Sequence, residues 1–478
     1  MTQASRPLFN FDSQKDKVDE TRQLICEFAE GHPFRSAQVE ELELDEDFHR
    51  RPLRPEDLSF IGFRKPVRRK TVIRLPFLAT QRLLLCINET GIARFPKDTD
   101  EGSLSQFNDF YGENNQILGA RIRPFLEDFA FDFLSRDPGE EDITIPDLVG
   151  KIAATAMEES RFWGQLFGWL ASRNYVEDGT RFILMQNWSL ASSKRIALAR
   201  AQASGFFEPV PVGDWPSLEG PMPDDADIQA LATQCGITKR EHSYWQFYLS
   251  TSMARCNLLH ALARRPDRAL AFYGAAFDAE AHWLAFGCLV GQACDYLQVP
   301  SVGRNIDIPT ALEDLQRRFQ NLLQVVETRF GAAGLQQVAQ GVDVSRRLGD
   351  AARGDLRAQL HWLSSIEQFQ VFANNIDDRI NAECPNIDRE TFVEPREMCS
   401  TTHVHSDHRL VSIESGDMVF WGNLGMQLKL KPGQRVFVPE GRLHGSTIES
   451  EECTYHQPII PDAWIEELIG DTGIKFAA

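Results

Sequence analysis

Three histidines near the C-terminal end are spaced to share one task. His403 and His405 flank Val404 at the end of a run of Ser400, Thr401 and Thr402. Alternate side chains of an extended strand point to one face, so both imidazoles project the same way. The third, His444, follows Gly433, Pro439 and Gly441, a glycine and proline turn that brings the chain back beside the first strand. Three neutral imidazoles on one side of a small barrel bind divalent iron, nickel, manganese or zinc and leave coordination positions open. Open positions admit a substrate or dioxygen, so the pattern reads as catalytic. A His-x-His alone is a weak signal, because surface histidines pair by chance. The weight comes from Gly416 behind the pair and from the spacing of the second half.

Together the two segments resemble the paired metal-binding motifs of the cupins. Many cupins carry a glutamate ligand where this chain has Arg409. The expected ligand set is therefore three histidines, His403, His405 and His444, with the Arg409 cation turned outward or meeting an anion. Asp407 and His408 fall in a polar turn and are expected to be solvated. A metal-free barrel that binds a sugar or other ligand is the competing reading.

With 478 residues and 42% hydrophobic content the chain is long enough for two or three domains with their own cores. Its net charge of −19 makes nucleic acid and anionic membrane poor partners. The first residues lack the charged and apolar regions of a signal peptide, and no apolar run reaches the length of a membrane span. A cytoplasmic location is expected. Nine cysteines without a C-x-x-C pair fit reduced thiols, mostly buried as small apolar residues.

Periodicity then supplies the elements that must position the histidines. Apolar Val18, Leu24, Ile25 and Phe28 predict an amphipathic helix over 16–30, ended by Gly31 and Pro33. A basic, proline-punctuated stretch runs from His49 to Arg69, followed by apolar residues from Ile73 to Ile87. Tyr111, Ile117, Ile122, Phe125, Phe129 and Phe133 form a helical stripe that reads as core or dimer interface. Asp137 to Glu141 reads as a domain boundary. From Ile145 to Ile380 the pattern is helical, with runs over 148–172, 189–207, 244–264, 269–297 and 311–330. Pro209, Pro211, Pro216, Pro221 and Pro223 interrupt it with a loop. From Phe392 the period becomes two, predicting short strands that build the small barrel. The reading is a multidomain α+β chain: a helical N-terminal domain (1–143), a helical bundle (144–385) and a C-terminal β-barrel (386–478).

A helical bundle also invites a carboxylate-bridged di-iron centre, which needs acids and histidines at i, i+3 or i+4 on several helices. Glu280 is the best candidate. His282 lies two residues on and faces elsewhere on a helix. Glu158, Glu159 and the adjacent Glu241 and His242 read as surface or capping residues. The ligand density that two metals need is missing.

Beyond these motifs, the chain resembles the N-nitrosourea-forming synthases over nearly its full length. The segments that carry the likeness run from Arg51 to Pro55, Gln81 to Leu84, Ile122 to Leu126 with Phe129 to Phe131, Tyr244 to Leu249, Val393 to Arg396, and Leu443 to Gly445 with Ile448 to Ser450. The resemblance implies an N-terminal domain that dimerises, a heme-oxygenase-like middle domain and an iron cupin. In that family the middle domain is a di-iron N-hydroxylase, and the cupin iron forms the N–N bond by oxidative rearrangement of an arginine derivative. By resemblance the cupin ligands are His403, His405 and His444, and Tyr455 is a residue of the cupin pocket with a catalytic role. The middle-domain glutamate falls on Glu280, but the family's H-x3-D-x2-H helix falls on Asp307, Ala311 and Asp314, which puts the di-iron site in doubt.

The expectation is asymmetric. One Fe(II) per chain sits in the cupin with O₂ as cosubstrate, and the helical domain lacks N-hydroxylase activity. The substrate would be an N-hydroxylated arginine or guanidine made by a separate upstream N-hydroxylase, the product an N-nitroso or diazeniumdiolate amino acid, and the assembly a homodimer. Three readings compete: a cupin dioxygenase or isomerase acting on an unrelated small molecule, a metal-dependent sensor, and a bifunctional enzyme that also hydroxylates its substrate.

Overall fold

Amphipathic patterning at the N-terminal end folds into a 3₁₀ turn (Phe11–Lys17), started by Asn10 accepting from the Asp12 amide, and α1 (Val18–Glu30). The computed structural model describes residues 7–30, 58, 61–93, 95, 101–135, 143–217, 225–237, 244–299, 308–396, 399–423 and 426–472. Most of the basic stretch from His49, the boundary at Asp137 to Glu141, the pair Glu241 and His242, and Asp307 lie outside these residues. The apolar run after Ile73 becomes α2 (Leu75–Glu89), buried continuously from Phe77 to Glu89. The aromatic stripe becomes two helices, α3 (Glu101–Tyr111) and α4 (Glu113–Phe131), divided at Gly112. Ile122, Phe125 and Phe129 are core, whereas Ile117 is 50% exposed, so the buried stripe starts later than its periodicity predicts.

The central bundle comprises α5 (Ile145–Ser172), α6 (Val176–Asn187), α7 (Ala191–Ala203), α8 (Asp225–Gln234), α9 (Ser250–Ala263), α10 (Ala269–Tyr296), α11 (Ile308–Leu363) and α12 (Ile366–Glu383). A reciprocal cap between Thr144 and Asp147 starts α5. The helix expected over 311–330 is only the first part of α11, which bends at Gly331 (φ 62, ψ −156) and runs on to Leu363. The left-handed φ explains both the bend and the glycine. The predicted run over 189–207 shortens to α7. In the proline-rich segment the described residues hold only a 3₁₀ turn (Val212–Asp214). α10 and α11 cross with their backbones in contact: a Cβ on Gly341 would lie 1.8 Å from the Ala271 carbonyl oxygen. No described helix is long and apolar enough to cross a membrane.

From Thr391 the period of two becomes two antiparallel sheets. The strands are β1 (Thr391–Pro395), β2 (Cys399–His403), β3 (His408–Ser415), β4 (Met418–Asn423), β5 (Met426–Leu430), β6 (Arg435–Val438), β7 (His444–Ile448), β8 (Glu452–His456) and β9 (Ile459–Ile460). One sheet runs β1-β8-β3-β6 with β9 on β3, the other β2-β7-β4-β5. Leu410, Val436, Phe437, Leu430, Phe420 and Ile448 are buried within this domain. α12 covers β6 by packing Phe369 and Phe372 on Phe437, with ring centroids 6.3 and 5.1 Å apart. The last helix, α13, is Asp462–Thr472. The architecture is a helical bundle followed by a cupin-like β-domain, as the sequence predicts.

Candidate metal centre

β2 and β7 lie side by side in antiparallel register, with His403 opposite His444. Gly441, at φ 73, turns the chain into β7 and donates its amide to the His405 carbonyl at 3.0 Å, tying both ligand segments together. The three rings converge: centroids are 4.5 Å apart for His403 and His444, 4.9 Å for His403 and His405, and 5.0 Å for His405 and His444. One nitrogen from each lies within 4.8 Å of the others, the group among the described residues best arranged to hold a metal ion.

Electrostatics favour a cation there. Burial first, then the neighbouring imidazoles, hold His405 and His444 well below the ordinary histidine range, so their rings are neutral with lone pairs available. Nδ1 of His444 donates to the Arg442 carbonyl at 2.7 Å. That bond fixes the tautomer and leaves Nε2 as the coordinating atom. Nε2 of His405 is buried with no partner. Three convergent nitrogen donors, with His405 and His444 held neutral, fit a divalent iron, and an imidazole set leaves room for further ligands.

The helical body grips each ligand strand from outside. In α2, Arg82 donates to the Thr402 carbonyl and hydroxyl, both at 2.8 Å, immediately before His403. In α11, Gln359 donates to the Leu443 carbonyl at 2.8 Å and accepts the Leu443 amide at 2.9 Å, immediately before His444. On the same face of α11, Asp355 receives Arg442 at 3.5 Å, and Trp362 presents its edge to the His444 ring at 6.3 Å. Asp355, Gln359 and Trp362 follow i, i+4, i+7 spacing, the one sequence signal that could have marked this face.

Tyr455 is 5% exposed and stacks on Phe392 at 5.3 Å, opposite it on β1 and beside Ile413 of β3 in the facing sheet. Arg409 meets an anion, as its charge requires: it pairs with Glu390 and donates to the Gln457 carbonyl at 3.0 Å. His408 departs from the solvated expectation. It stacks on Phe437 at 5.6 Å, and its Nδ1 accepts the Glu440 amide at 3.1 Å, because the turn folds back onto the barrel core.

In the bundle, Glu280 is buried and ion-paired with Arg318 of α11. Its carboxylate also accepts the Ser217 amide at 2.8 Å. Nε of the same guanidinium donates to Asp314 at 2.7 Å. A fixed cation thus bridges Glu280 and Asp314. Glu159, read from sequence as a surface or capping residue, is 1% exposed and ion-paired inside the bundle. His282 points away from Glu280, as its spacing predicts, and lies between Glu159 and Asp278 at 3.2 and 3.4 Å.

No protein-family model matches the chain. The nitrosourea synthase of Streptomyces achromogenes subsp. streptozoticus is 26% identical to it over 455 residues, covering 91% of this chain and 94% of that protein. The likeness therefore spans bundle and barrel together.

Proposed function

We infer that this chain, a member of the N-nitrosourea-forming synthase family, is a mononuclear non-heme iron oxidoreductase. In this reading it rearranges an N-hydroxylated arginine or related guanidine with dioxygen, forming an N–N bond. The product would be an N-nitroso or diazeniumdiolate amino acid of secondary metabolism. The observation that carries the reading is the convergence of three imidazoles in a chain similar along its length to a nitrosourea synthase.

Iron(II) held by His403, His405 and His444 would supply open positions for dioxygen and for a bidentate hydroxyguanidine. This chain's own residues position and shield. The Arg442 carbonyl orients His444, Gln359 and Arg82 fix the ligand strands, and Phe420 and Trp362 pack against the His444 ring. We assign Tyr455, buried on β8 of the other sheet, as the residue that would hydrogen-bond substrate.

The second half of the reading is that the bundle does not hydroxylate. The Arg318 bridge between Glu280 and Asp314 supports it: a guanidinium cannot ligate a metal, and its charge repels one. Substrate would then come from a separate N-hydroxylase, and the chain would act as a cytoplasmic homodimer.

The test offers iron-reconstituted protein an N-hydroxylated arginine derivative and its unhydroxylated parent under oxygen. An N–N-bonded product from the first substrate alone, lost in His405→Ala, supports the reading. Product from the unhydroxylated parent would mean that the bundle hydroxylates after all. No turnover of either, with no change in the metal spectrum, would point to a cupin acting on another small molecule.

A further inference from the structure

On the face of α10 away from Glu280, the bundle holds a half-open cavity in two adjoining chambers. Lys194 of α7, Arg255 of α9 and Asn187 of α6 line both. His282 and Trp283 complete one, and Glu159, Trp163 and Arg353 the other. Each chamber has room for a group about the size of one water molecule.

Glu159 in the wall, and Asp278 behind it, are already engaged. Glu159 receives Arg353 at 2.7 Å and lies 3.2 Å from His282 Nδ1. Asp278 receives the Thr155 hydroxyl at 2.8 Å through one oxygen, while its other oxygen lies 3.4 Å from His282 Nε2, off the line of a hydrogen bond. The imidazole reaches this place only because α11 carries Gly349, where a Cβ would come within 2.7 Å of the ring. The two carboxylates sit on opposite nitrogens of His282, so they cannot converge on one metal.

The cations have no direct partner, although Glu159 attracts both and Asp278 attracts Arg255 from a distance. Lys194 is 9% exposed, and neither it nor Arg255 makes a hydrogen bond or ion pair among the described residues. The buried indole N–H groups of Trp163 and Trp283 also lack acceptors. Burying such donors without partners is unfavourable, and two like charges side by side add to the cost. Burial, with Arg255 beside it, pulls the Lys194 ammonium down to about 7.

We propose that this cavity binds a small monoanion of about three heavy atoms, a carboxylate or an inorganic oxyanion lying across both chambers, between the Lys194 ammonium and the Arg255 guanidinium. A planar oxyanion would accept from both cations, and its charge would offset the excess positive charge of the wall. The site shares no residue with the histidine triad, and the proposal does not depend on the reaction assigned there.

The test uses the full-length protein titrated separately with formate and nitrite, with sulfate, too large for the chambers, as the ionic-strength control. Tryptophan fluorescence and the thermal midpoint are read together. At least one small anion is expected to give a saturable fluorescence change and a raised midpoint, weakened about tenfold or more by Lys194→Met and by Arg255→Gln. The preferred anion tells an organic acid from an inorganic source. Without anion, Lys194→Met is expected to melt higher than wild type, because a buried unpaired charge is gone; this keeps the test valid if Arg255→Gln fails to fold. Lack of saturable response in wild type, a response that sulfate reproduces, or equal binding by the Lys194 variant would overturn the proposal.

Discussion

Gln359 and Leu443 exchange two hydrogen bonds, at 2.8 and 2.9 Å, so the residue before the third histidine is held as a strand neighbour would hold it, by an amide side chain of a helix. His444 therefore takes its position from α11 as much as from the barrel. Gln359→Ala would leave the buried Leu443 amide and carbonyl without partners, a loss of about 1–3 kcal/mol. Iron affinity is expected to fall about 10- to 100-fold, the usual consequence of losing support behind a metal ligand. Competition with a chelator reads the affinity, and denaturant unfolding of the metal-free variant reads the stability.

Iron stoichiometry after anaerobic reconstitution separates one metal centre from more. One iron per chain is expected in wild type, and essentially none in His405→Ala or His444→Ala, with unchanged circular dichroism. Additional irons retained by the variants would locate metal in the bundle, against the Arg318 bridge.

Removing Arg318 tests that bridge as a structural element. Both partners are buried, so Arg318→Met strands the Glu280 carboxylate in a site where burial already raises its pKa. A loss of about 3–5 kcal/mol is expected, largely recovered in the double variant with Glu280→Gln. Equal stability of the single variant and wild type would show the pair to be idle.

Lys194 gives a pH dependence with a definite sign. Its ammonium titrates at about 7 in the folded chain, against about 10.4 when unfolded. Burial is the main cause; Arg255 acts in the same direction, and Cys256 and Glu159 oppose it. Between these values the unfolded chain binds the extra proton, so this residue makes stability rise with pH from about 7 to about 10. Below 7 its penalty is complete. Unfolding free energies at several pH values should show a steeper rise in this window for wild type than for Lys194→Met.

The metal triad was legible because β-structure writes its geometry locally: alternation fixes His403 and His405, and a glycine turn fixes the return of His444. Arg409 was legible for the same reason, as a charge with one way to be satisfied. The supports were not. Arg82 and Gln359 act across 320 and 84 residues of sequence, and nothing near either marks the contact. Glu159 reads as a surface or capping residue only if it sits near a helix start; it lies in the middle of α5, where it faces the bundle while adjacent Glu158 is partly exposed. The cation-lined cavity escaped because Lys194 and Arg255 come from separate helices and read singly as ordinary polar positions.

The two grips on the ligand strands carry a consequence for modularity. Arg82 belongs to the segment before the bundle and Gln359 to its far end, yet they steady adjacent strands of one metal site. A β-domain cut free at its sequence boundary would keep its ligands and lose both anchors. This barrel is thus not a transplantable cassette, and grafting it onto another scaffold would require carrying over two distant stretches of helix.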